Sequence, residues 1–163
     1  MCPGPVDSTI ETMNAMGLRF HCIISGTTRR CLDITRDVYD GVPTEFRPFV
    51  SDLLLPQGHG RVREPCSVLQ KDYPTIDFSE YFEESMWLPE VPESDEDLVQ
   101  RVEALMRVVH RMQGTVLVVA PMELIRTYTG VALAPGGFFK QYEKEDLSNW
   151  RSFMSTTART SSS

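Results

Sequence analysis

The run Thr115-Val116-Leu117-Val118-Val119-Ala120 constrains the fold of this chain more than any other stretch. It is short, almost continuously apolar and rich in β-branched residues, the pattern of a strand covered on both faces in a parallel sheet. Parallel neighbours need a crossover between them, and the flanking residues supply helices. Upstream, Leu98, Val102, Leu105 and Val109 recur at intervals of three and four. Ser94 is a candidate N-cap, with Asp97 three residues on, and Gly114 is the stop. Downstream, Pro121 suits the first turn of a helix whose apolar positions include Leu124, Ile125, Tyr128 and Ala132.

The first half repeats this rhythm. Ser8 to Met16 predicts a short helix ended by Gly17, and Arg19 to Ser25 a strand. A turn at Gly26 leads into a helix from about Thr28 to Tyr39, with Cys31, Ile34 and Val38 on one stripe. The middle is less regular. Phe46, Phe49, Leu53 and Leu54 are assigned to another short helix, and Arg61 to Glu64 to a brief strand closed by Pro65. Gln70 to Pro92 reads as a long ordered loop, because disordered segments rarely carry aromatics as dense as Tyr73, Phe78, Tyr81, Phe82 and Trp87. The fold class expected is α/β: a mostly parallel sheet with helices on both faces. One domain is expected over residues 10–150, after a flexible lead at 1–9 and before a disordered Ser/Thr-rich tail at 151–163.

Composition narrows the function. No apolar run approaches the roughly 20 residues needed to cross a bilayer, and the first twenty residues contain no hydrophobic signal segment. A cytoplasmic protein without membrane association is expected. Cys2, Cys22, Cys31 and Cys66 form no CxxC pair and the three histidines are scattered, so they read as reduced packing thiols rather than a zinc site. A net charge of −7 without a basic run argues against nucleic acid. The acids crowded between Asp77 and Asp97 read as a solvated face.

In an open parallel sheet, ligands collect at the carboxyl ends of strands, where helix N-termini offer free N–H groups. Two such corners can be located: Ser25-Gly26-Thr27-Thr28-Arg29-Arg30 and Ala120-Pro121-Met122-Glu123. If their strands are neighbours, both line one crevice. The first, taken from His21 to Cys31, resembles the second-strand motif of the histidine-phosphatase (phosphoglycerate mutase-like) superfamily: a strand, Ser-Ser-Pro, two variable residues, Arg and a small residue. Ser25 and Gly26 take the serine places, Thr27 that of the proline, and Arg30 that of the arginine. Val62-Arg63-Glu64-Pro65 is similar to the segment before the family's catalytic acid, and Val116 to Ile125 to its late strand. The Ala-ending strand and the Glu-Pro segment lean toward the suppressor-of-T-cell-receptor-signalling branch. The likeness runs from about Ile10 to Ala134, and its order and spacing carry more than any single motif.

The resemblance implies a phosphoglycerate mutase-like fold, truncated at the N-terminus, with Arg30, Ser25 and Thr27 as a vestigial phosphate site. The departures imply loss of catalysis. Nothing before His21 supplies the Arg-His-Gly nucleophile, the second active-site histidine falls on Pro121, and Cys66 to Gln70 offer no carboxylic acid. Phosphoryl transfer needs a nucleophile, an acid for the leaving group and cations around the oxygens; only Arg30 is assignable. Arg29 takes its place if the turn is one residue shorter, and pairing of Arg30 with Asp33 on its own helix is the plain alternative to anion binding. No catalytic residue, cofactor or metal is expected, and the partner is a protein or a phosphorylated ligand. Two other readings stay open: a piece of a longer active phosphatase, or an unrelated nucleotide-binding α/β protein. The missing central strand leaves three possibilities, namely a fragment, a sheet that closes differently, or a partner that fills the gap.

Overall fold

Alternation decides what each strand residue can touch, and the central strand shows both the rule and a break in it. The computed structural model describes residues 5–54, 64–79 and 94–130. Strand β1 (Phe20–Ser25) lies between β2 (Phe49–Val50) and β3 (Thr115–Val119), and all pairings are parallel. Ile23, Leu117 and Val119 face helices α1 (Pro5–Ala15) and α2 (Arg29–Gly41), packing with Met13, Cys31 and Val38. Cys22, Ile24, Val116 and Val118 face α4 (Asp95–Arg111) and α5 (Met122–Thr129), among Leu98, Val102, Leu105, Leu124 and Tyr128. Helices therefore cover both faces, the layering expected from the apolar runs. Burying each such aliphatic side chain contributes on the order of 2 kcal/mol. Phe20 departs from alternation and joins the α1–α2 face, because the register with β3 steps from Phe20↔Thr115 to Cys22↔Val116 and leaves His21 as an extra residue.

The helix boundaries follow local chemistry. Thr28 caps α2, its side chain accepting from the Cys31 N–H, and Ser94 caps α4 by accepting from that of Asp97. Helix α1 takes in Pro5 to Asp7, assigned above to the lead, since proline is tolerated where a helix has no N–H partner to lose.

The middle of the chain corrects the sequence reading. Phe49 and Val50 form a strand, not a helix, and only Asp52–Leu54 make a single 3-10 turn. Tertiary pairing overrides the local pattern: Ser51 N–H donates to the Ser25 carbonyl at 2.9 Å, and Val50 N–H to that of Asp77 at 3.1 Å. Helix α3 (Cys66–Asp72) takes up the start of the expected long loop. The turn after it is pinned by Arg47, whose guanidinium donates to the carbonyls of Thr75, Pro74 and Ile76 at 3.0 to 3.1 Å. Leu32, Val50, Leu69, Tyr73, Ile76 and Phe78 close a second core around it. The strand assigned to Arg61 to Glu64 lies mostly outside the described residues, as do the segment from Glu80 to Glu93 and the tail. Among the described residues, no helix is long and apolar enough to cross a membrane.

Candidate functional site

Strands β1 and β3 are direct neighbours, in register from Ser25↔Val119, and no strand intervenes between them. Among the described residues the sheet closes up directly across these two strands. The helix after β1 leaves toward one face and the helix after β3 toward the other. Adjacent parallel strands whose connections diverge in this way open a crevice at their carboxyl ends, where open α/β sheets hold ligands. The two corners picked out from the sequence meet there. Gly26 N–H donates to the Val119 carbonyl at 2.7 Å. A Cβ on Gly26 would stand 3.4 Å from Pro121 Cδ and 3.2 Å from Cys31 Sγ, so any larger side chain would press on its neighbours.

The β1–α2 corner is rich in donors. Among the described residues the N–H groups of Thr27, Thr28, Arg29 and Arg30 donate to no backbone carbonyl, as expected at the first turn of a helix. Thr27 is 8% exposed, and among the described residues its hydroxyl has no partner. Ser25 differs: it is fully buried and its hydroxyl donates to the Gly26 carbonyl at 2.9 Å, so the side chain is engaged inside the turn. Arg30 is exposed, and among the described residues it makes no ion pair or hydrogen bond. The pairing with Asp33 does not form, because Asp33 accepts from the Tyr73 hydroxyl at 2.6 Å and lies 3.6 Å from Arg36.

Arg29, the alternative to Arg30, is committed elsewhere. Its guanidinium meets Glu64 at 2.6 Å and Asp72 at 2.8 Å, and these hydrogen bonds hold it well above the ordinary arginine range. With Tyr73 beneath it, Arg29 fastens α3 to the start of α2. Sequence reasoning missed this clasp: Arg29 and Glu64 lie 35 residues apart, with no local signal linking them.

The β3–α5 corner offers far less. Pro121 occupies the N-cap of α5 and makes no side-chain cap hydrogen bond. Cys66 to Gln70, where the resembled family would carry its acid, lie on α3 with Cys66 and Leu69 buried. Cys22 and Cys31 are buried too, and burial pushes both thiols up, away from the thiolate that a nucleophile requires. Among the described residues no three His, Cys, Asp or Glu side chains gather as metal ligands. The arrangement offers an anion donors from one corner, while the other begins with the Pro121 ring.

Comparison with known proteins adds no name: no family model, no curated protein and no solved structure matches this chain.

Proposed function

We propose that this chain is a non-catalytic module, a degenerate relative of the histidine-phosphatase superfamily, that binds a phosphorylated ligand at the β1–α2 corner. The observation that carries the reading is Arg30, an exposed guanidinium without a partner among the described residues, two residues after the N-cap of α2. A helix N-terminus favours negative charge, and a guanidinium matches phosphate oxygens in pairs. The Thr27 hydroxyl and the free N–H groups add neutral donors beside it. Inactivity rests on what stands opposite: Pro121 can neither accept a phosphoryl group nor give up a proton.

The test is a titration of the purified chain with inorganic phosphate and with an aryl phosphate, followed by amide chemical shifts. Saturable shifts at Thr27 to Arg30 are expected, weakened about tenfold or more by Arg30→Ala, the scale of losing one charge-assisted contact. Hydrolysis of the aryl phosphate well above background, lost on Arg30→Ala, would overturn the non-catalytic reading. Silence of those amides would overturn the binding reading.

A further inference from the structure

The opposite end of the sheet carries an arrangement that the corner site does not use. Where β1 and β3 begin, a cleft of about 620 Å³ opens between Arg19, His21, Pro43, Glu45, Gln113 and Gly114, among other residues. That volume falls within the range of small-molecule pockets, roughly 300 to 1,000 Å³.

His21 is set into this cleft by three independent features. It is the extra residue of the bulge against β3, a device that re-aims a side chain out of the alternation. Its ring packs edge-on against Phe46, with centroids 4.9 Å apart. Its Nδ1 lies 3.1 Å from the Glu45 carboxylate. Gly114 keeps the neighbouring wall clear: its φ of 74° disfavours a side chain, and a Cβ there would stand 3.3 Å from His21 Cβ.

The tautomer follows from the partner. A carboxylate only accepts, so Nδ1 carries the proton, and in the neutral ring Nε2 keeps its lone pair. Among the described residues Nε2 has no partner. Arg19, which lines the same cleft, is exposed and likewise unpaired among the described residues. The cleft thus offers an oriented acceptor nitrogen and, on another lining residue, a permanent positive charge. Its complement is a molecule carrying a hydroxyl to donate to the nitrogen and an acidic group for the guanidinium.

We infer that this cleft is a second ligand site, taking a small hydroxy acid whose hydroxyl donates to His21 Nε2 and whose carboxylate pairs with Arg19, with Glu45 as the positioning residue that fixes the ring.

The full chain, with isotope-labelled histidine, is titrated with lactate, with acetate (which lacks the hydroxyl) and with 2-propanol (which lacks the carboxylate), reading the His21 ring nitrogens. Lactate is expected to perturb Nε2 saturably, with the two partial analogues roughly tenfold weaker, the ratio for one lost charge-assisted or well-made hydrogen bond. Arg19→Gln is expected to weaken lactate by a similar factor while leaving the ring-nitrogen pattern of the free protein unchanged. Glu45→Ala is expected to mix the two tautomers in the free protein and weaken lactate as well. The inference is overturned if Nε2 shows no saturable change, if acetate matches lactate, or if Arg19→Gln leaves the lactate affinity unchanged. Perturbation confined to the amides of Thr27 to Arg30 overturns it too, since that is the other end of the sheet.

Discussion

The two strand-to-helix corners at the carboxyl edge share a topology and differ in almost everything chemical. At the first, Thr28 caps α2 through its hydroxyl, while Thr27 and Arg30 present donors without partners among the described residues. At the second, Pro121 starts α5 with no side-chain cap hydrogen bond. A Cβ placed on Gly26 would lie 3.4 Å from the Pro121 ring, so the two corners stand side by side. Two adjoining corners of one sheet can therefore share a topology and still present different chemistry, donors at one and a proline ring at the other. Position and reactivity are set by different residues.

The largest effect should come from forcing the corners apart. Gly26→Val puts a branched side chain against Cys31 Sγ, Pro121 Cδ and the Val119 carbonyl. Overpacking of this kind costs about 2 kcal/mol, read as a lower urea midpoint. A loss under about 0.5 kcal/mol, the ordinary range for a surface change, would mean the corners do not abut.

Exchanging the caps sharpens the contrast at a smaller scale. Thr28→Ala should cost about 1 kcal/mol, since the Cys31 N–H loses its acceptor. Pro121→Ser should change stability by less than about 0.5 kcal/mol, because a new side-chain acceptor offsets the added freedom of the unfolded chain. Equal costs at the two corners would erase the distinction drawn between them.

A third test compares the supports beneath each corner and acts only in alkali. Burial, and for Tyr73 the hydrogen bond to Asp33, push Tyr73 beside α2 and Tyr128 on α5 up to about 12 from an ordinary value near 10. Between those values the unfolded chain loses protons that the folded chain keeps. Stability contributed by both groups is thus fully present below pH of about 10 and falls as pH rises toward about 12. Tyr73→Phe should flatten part of that decline in denaturation curves. An unchanged slope would show that the hydroxyl beside Asp33 is not the group responsible. Smallest of all, Arg30→Ala should change stability by less than about 0.5 kcal/mol in urea denaturation, since the side chain is exposed and makes no ion pair or hydrogen bond among the described residues.

How much of this could be read in advance varies along the chain. The β3 run, the α4 stripe and the Ser94 cap stand where their spacing indicates. Both corners were legible for the same reason, being strand ends followed by helix starts. Phe49-Val50 was not, because a two-residue strand has no period to detect and exists through its bonds to Ser25 and Asp77. Choosing between Arg29 and Arg30 was equally out of reach, since it turns on Glu64 and Asp72, far along the chain. The three histidines are scattered along the sequence, and neither the bulge beneath His21 nor Glu45 beside it leaves a mark in local spacing.

By itself the sequence determined where β1, β3 and the helices around them form, because periodicity, capping hydroxyls and glycine stops act within a turn or two of the residues that carry them. Only the tertiary structure decided that β1 and β3 pair directly, which arginine is occupied and which is left open, and that a bulge turns His21 into a cleft. Those outcomes depend on contacts between residues distant in sequence, whose geometry no local pattern encodes.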